Sequence, residues 1–230
     1  MSARLAVVAL AALIAAPALA APSQIIILRH GEKANDWSLC ATGQARAAAL
    51  EAYYLGAGAK ESLFNYGDRP DAFMAITLHT LELASPAAQS WHAPIVLWSI
   101  VPAADMNSRA TTGELNQRTQ DAVADLMNNP RWESQTVVMV WEHHHIADAA
   151  LDAAYPDEAV TLRKLLKLDQ LASVPETWSG ENYDYFWVVD LDPYSGEPKA
   201  FRTVRQILPG VPQNEWAAPN GLTPESGCER

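Results

Sequence analysis

Four consecutive branched aliphatic residues, Ile25-Ile26-Ile27-Leu28, leave no position for a solvated face. Successive side chains of a strand point to opposite faces, so a run without alternation must be covered on both sides. That is the situation of a central strand with helices above and below it. Residues 42–55 then carry Ala45, Ala48, Ala49, Ala52 and Leu55 at helical spacing and stop at Gly56 and Gly58. Further strands are expected over 72–76, 95–98 and 136–141, with helices over 83–91, 115–127 and from 146 onward. A helix over 159–168, an aromatic strand over 185–189 and a closing strand over 201–207 complete the pattern. Strands alternating with helices predict an α/β fold, a three-layer sandwich with a mostly parallel central sheet.

The first twenty residues stand apart. Arg4 precedes an apolar run over 5–16, and Pro17-Ala18-Leu19-Ala20 supplies the small residues before a signal-peptidase cut. A membrane-spanning helix needs roughly 18 apolar residues or more, so the shorter run reads as a cleaved secretory signal, residues 1–20. Residues 21–230 form one domain, periplasmic or secreted. Removing the leader takes Arg4 alone among the charged residues and moves the net charge from −11 to −12.

At 49% hydrophobic residues the chain can bury a core, which excludes a disordered polymer. Its 27 acidic against 16 basic residues exclude partners held by bulk positive charge, so neither nucleic acid nor an anionic membrane is expected. Export would put the two cysteines, Cys40 and Cys228, in an oxidising compartment, where pairing is expected over two free thiols. Such a bridge closes a long loop, worth about 4–5 kcal/mol by chain entropy. It would tie the proline-bearing tail from residue 208 to the loop after the first strand.

In open α/β sheets ligands bind beyond the carboxyl ends of the strands. The first strand runs into Arg29-His30-Gly31-Glu32-Lys33, the second region reaches His79, and the late strand runs into Trp141-Glu142-His143-His144-His145. Three strand ends therefore present histidine, and the first adds an arginine.

The order Ile-Leu-Arg-His-Gly-Glu-Lys over 27–33, Gly43-Gln44-Ala45-Arg46-Ala47 on the first helix, and Val137-Val138-Met139-Val140-Trp141-Glu142-His143 on a late strand resembles the histidine phosphatase superfamily, also called phosphoglycerate-mutase-like. The resemblance covers most of residues 21–230 and implies a metal-independent phosphomonoester hydrolase without a cofactor, acting on a small phosphorylated substrate. By it, His30 is the nucleophile and Arg29, Arg46 and His143 clamp the phosphate. The chemistry suits these residue types: an imidazole held in one tautomer keeps a free lone pair for attack at phosphorus. Guanidinium forks match phosphate oxygens bidentately, and Gly31 lets the backbone pass close to the bound group.

Two places depart from the family pattern. His79 stands where a further clamp arginine is usual, and Leu83 where a threonine four residues later is usual. The carboxylic acid that protonates the leaving alcohol is not fixed by a motif: Glu114 in Thr111-Thr112-Gly113-Glu114 is the first candidate, with Glu142 and Glu82 as rivals. The aspartate that the acid phosphatase branch places after the late histidine is His144 here. A catalytically weak phosphate-ester or anion-binding protein on the same fold is therefore the alternative. The run His143-His144-His145 invites a metal-hydrolase reading, but no HExxH-type spacing accompanies it, and no metal is expected. Loops over 35–38, 53–69 and 100–112 are expected to set substrate choice.

Overall fold

The computed structural model describes residues 21–65, 67–100, 108–213 and 228. The signal expected over 1–20, part of the 100–112 loop and most of the tail beyond 213 lie outside the described residues. Six strands, β1 (Gln24–Arg29), β2 (Ala72–Ala75), β3 (Ile95–Leu97), β4 (Thr136–Trp141), β5 (Tyr185–Leu191) and β6 (Pro198–Arg205), form one sheet in the order β3-β2-β4-β1-β5-β6. The first four are mutually parallel, and β5 and β6 add antiparallel. The sandwich is mostly parallel as expected, with an antiparallel edge.

The uninterrupted aliphatic run has the place its composition demands. β1 lies between β4 and β5, with Ile25 and Ile27 in one core and Ile26 and Leu28 in the other. The first core is closed by α3 (Arg109–Asn128) and by two short helices, α4 (His143–Ile146) and α6 (Leu162–Leu165), while α5 (Ala149–Ala154) between them buries no residue. The second packs under α1 (Ala41–Leu50), its π-helical continuation Glu51–Leu55, and α2 (Leu78–Trp91).

Element ends differ from expectation for local reasons. α2 begins at Leu78, five residues before the expected start, because Thr77 and Thr80 cap each other reciprocally, with Thr77 N–H donating to Thr80 Oγ1 at 2.8 Å. Polar but buried His79 and Thr80 hide this turn from hydrophobic periodicity. The helix expected over 159–168 is the single turn α6, which Thr161 caps and which gives way to left-handed Lys167 (φ 55°). Gly43 marks the closest approach of α1 to the loop after β1: a Cβ there would lie 2.2 Å from the Glu32 carbonyl oxygen.

Candidate active site

Parallel pairing of β1 with β4 sets Arg29 beside Trp141, and the pairing continues as His30 N–H donates to the Trp141 carbonyl at 2.9 Å. This register brings His30, Glu142 and His143 together at one carboxyl edge of the sheet. β2 ends on the same edge, where the first turn of α2 supplies His79. A cleft of about 580 Å³ opens there, lined on its floor by Arg29, His30, His79, Glu142 and His143 and on its walls by Lys33, Tyr183 and Leu115 among others.

His30 is 1% exposed, and its Nδ1–H donates to the Gly31 carbonyl at 2.8 Å. That bond leaves Nε2 as the lone-pair nitrogen, with Arg29 Nη2 at 3.1 Å and His143 Nδ1 at 3.3 Å. Burial, helped by the Arg29 charge against the opposing pull of Glu142, holds the His30 imidazole well below its ordinary pKa. It is therefore neutral near pH 7. His143 is lowered in the same way, by burial first and then by Arg29 and His30.

Arg29 is itself positioned. Nη1 donates to the carbonyls of Ser179, Gly180 and Asn182 at 3.3, 2.8 and 3.0 Å, and the guanidinium lies over the Tyr183 ring at 3.9 Å. Its Nε is buried with no acceptor among the described residues. A cation fixed in this way, with a spare donor edge beside a neutral imidazole, fits an anion in the cleft.

Glu142 faces both sides of the site. Its Oε1 sits 2.5 Å from His79 Nε2 and accepts from Thr77 Oγ1 at 2.9 Å, and its Oε2 lies 3.5 Å from His30 Nε2. Burial would raise this carboxyl, but the charges of His79 and Lys33 and the His79 hydrogen bond hold it well below the usual range. His79 Nδ1–H donates to the Asp36 carbonyl at 3.1 Å, so both ring nitrogens face acceptors. The His79–Glu142 contact is placed to pass a proton between the two side chains.

Two sequence candidates lie elsewhere. Arg46 is 1% exposed but is taken up inside the fold: Nε and Nη2 grip Glu32 at 2.9 and 2.7 Å, and Nη1 holds Asp184 at 2.9 Å and Gln206 at 3.0 Å. Burial would lower this guanidinium, yet the Glu32 and Asp184 carboxylates hold it above its ordinary value. Arg46 does not line the cleft, because Glu32, one residue beyond Gly31, intercepts it. Glu114 is exposed on α3 and is also absent from the cleft wall, since the helix turns Thr112 and Leu115 toward it instead. Of the rival acids, Glu82 accepts from Leu39 N–H at 2.7 Å and serves the loop, which leaves Glu142 beside His30. Tyr183 carried no sequence signal, as a tyrosine ahead of a strand is an ordinary surface choice, and Lys33 stood in the Arg-His-Gly-Glu-Lys block with no role assigned to it.

His143 and His145 begin a helical turn and do not continue the strand, so they are not presented as a zinc-binding row. His145 Nε2–H donates to Asn116 Oδ1 at 2.9 Å, and His144 pairs with Asp148. Among the described residues, His30, Glu142 and His143 each place one donor atom within 4.8 Å of the others, a grouping that could hold a metal ion. Arg29 Nη2 already lies 3.1 and 3.2 Å from the two imidazole nitrogens concerned, so a cation there would meet a fixed guanidinium.

The Arg-His-Gly block and the late histidine, far apart in sequence, meet across adjacent strands. No protein-family model matches the sequence, and no curated protein matches it. Among solved structures it is similar to a mycobacterial glucosyl-3-phosphoglycerate phosphatase, at 15% identity over 80% of this chain and 98% of that one, TM-score 0.40. It is also similar to YhfR of Bacillus stearothermophilus, at 16% identity over 83% and 98%, TM-score 0.41. A third is a phosphoserine phosphatase of Entamoeba histolytica, at 13% identity over 77% and 95%, TM-score 0.41. The two cysteines are paired: Cys40, just before α1, is bonded to Cys228.

Proposed function

We propose that the chain is an exported member of the histidine phosphatase superfamily, a metal-independent phosphomonoester hydrolase that works through a phosphohistidine on His30. The observation that carries this reading is the state of His30: buried and neutral, its Nδ1 engaged by the Gly31 carbonyl and its Nε2 turned to Arg29 and His143. Arg29 and His143 hold the phosphoryl oxygens, where charge gathers in the transition state. Nε2 attacks phosphorus, and the bond to the ester oxygen breaks in line. A phosphate dianion beside Glu142 raises that carboxyl by like-charge repulsion, which draws a proton across the contact from His79 onto Glu142. Glu142 then protonates the departing alkoxide. Water next attacks the phosphohistidine, its proton returns to the Glu142–His79 pair, and the P–N bond breaks to free His30 and phosphate.

Export rests on the sequence of residues 1–20, and cleavage after Ala20 suits a chain in which Ala21 N–H donates to the Pro193 carbonyl and its own carbonyl accepts from Ser134. A second reading, a phosphate-ester-binding protein with weak catalysis, is favoured by a carboxylate standing at an anion site. The deciding experiment traps acid-labile phosphate from 32P-labelled substrate on the wild type and on His30→Ala. Label on the wild type alone supports the hydrolase. Label on both sinks the mechanism, and phosphate binding without label favours the weak-catalyst reading. Turnover of an aryl phosphate lost to a chelator would overturn metal independence.

A further inference from the structure

Resting on the reading that Arg29 holds the phosphate, we infer that Tyr183 is its positioning residue: the aromatic ring fixes the guanidinium without cancelling its charge. An arginine has more rotamer freedom to lose than most side chains, and a binding group ordered in advance spares that cost when the ligand arrives. Two arginines of this fold are ordered in opposite ways. Arg46 is held by the carboxylates of Glu32 and Asp184, which consume its charge. Arg29, equally buried, has no carboxylate within ion-pair distance among the described residues.

Neutral groups hold Arg29 instead, all from one loop. The carbonyls of Ser179, Gly180 and Asn182 take Nη1, and the Tyr183 ring faces Cζ at 3.9 Å. Burial is the leading influence on both guanidiniums: it lowers Arg29 below its ordinary pKa, whereas in Arg46 the carboxylates outweigh it. With Nη1 taken, Nη2 beside His30 and His143 and the unpartnered Nε form the edge left for an anion. Tyr183 is itself firmly seated. Its neighbours Asn182 and Asp184 are fully buried, Asp184 N–H donates to Asn182 Oδ1 at 2.9 Å, and the Asn182 carbonyl also accepts from Trp178 Nε1 at 3.0 Å. The Tyr183 hydroxyl makes no hydrogen bond among the described residues, so the residue acts through its ring.

The test compares Tyr183→Leu, which removes the aromatic face, with Tyr183→Phe, which keeps it, and with Arg29→Met. Inorganic phosphate binding is read by calorimetry, and the order of Arg29 by 15N relaxation of its Nε–H. Tyr183→Leu should weaken phosphate binding by about five- to thirtyfold, while Tyr183→Phe retains most of the affinity. The Arg29 Nε–H should stay rigid in the wild type and in Tyr183→Phe, and become mobile on the ps–ns scale in Tyr183→Leu. Should Tyr183→Leu fail to fold, Tyr183→Met takes its place. Phosphate binding by Tyr183→Leu within about twofold of wild type, an equal loss in Tyr183→Phe, or a rigid Arg29 in Tyr183→Leu overturns the inference. The two readings fail separately: wild-type phosphate affinity in Arg29→Met rejects Arg29 as the phosphate ligand, whereas the relaxation comparison judges Tyr183 whether or not the protein binds phosphate.

Discussion

His79 Nε2 and Glu142 Oε1 lie 2.5 Å apart, in a contact that joins the first turn of α2 to the end of β4 and stands directly beside His30. The other oxygen of Glu142 is the carboxylate atom 3.5 Å from His30 Nε2. If this pair handles the proton, Glu142→Gln should lower kcat by roughly 10²- to 10⁴-fold. Substrates with acidic leaving groups, such as 4-nitrophenol, should lose least, because their oxygen departs without a proton. Glu114→Gln, on an exposed helix face, should leave kcat at the wild-type value. Equal losses in the two variants, or no dependence on the leaving group, would remove Glu142 from the role of acid.

Arg46 makes a different demand. Its guanidinium, fully buried, links α1 to Glu32, to Asp184 ahead of β5, to Gln206 after β6 and to the Pro212 carbonyl. Removing one partner of such a network strands the other charges without water. Arg46→Met should therefore cost about 3–5 kcal/mol of folding stability. Urea unfolding measures the loss. Inorganic phosphate binding by the folded fraction should hold near wild type, and a selective loss of phosphate affinity with stability intact would return Arg46 to the clamp.

Those two residues show where sequence reading succeeds and where it stops. β1 was legible because an apolar run without alternation has one stable placement, and His30 followed because it ends that strand. The first turn of α2 was not, since its start is set by a Thr77–Thr80 capping exchange and by buried polar side chains that carry no periodicity. Arg46 sits in the expected helix at the expected register, yet its partner depends on how the loop after Gly31 folds back over Gly43, a tertiary fact. Glu142 was one acid among three. Only the register between β1 and β4, with the reach of His79 from α2, distinguishes it.

The Cys40–Cys228 bond closes a loop of 188 residues in sequence separation, and Cys40 immediately precedes α1 at the end of the Lys33 loop. Cross-linking so long a loop restricts the unfolded chain strongly. Cys228→Ser should lower the unfolding free energy by about 2–5 kcal/mol, and dithiothreitol should bring the wild type to the same midpoint. An unchanged urea midpoint in the variant would show that the bond contributes nothing to the folded domain.

Acid should unfold the protein through its buried neutral histidines. Burial, the leading cause, holds His145 down at about 4, and the same cause lowers His30 and His143. An unfolded histidine takes up its proton near pH 6.5, while these stay unprotonated in the fold. Between about pH 6.5 and about 4 the unfolded state therefore binds more protons, so stability is complete above that window and falls as pH is lowered through it. The depressed carboxyl of Glu142 acts in the same direction, its stabilisation being lost as pH falls below the ordinary carboxylate range. For His145 alone the loss across the window is roughly 3 kcal/mol. His145→Gln should flatten the fall in unfolding free energy between pH 6.5 and 4.5 by up to about 1.4 kcal/mol per pH unit, measured as urea midpoints at constant ionic strength. Parallel profiles for the variant and the wild type would show that His145 already takes up its proton in the folded state.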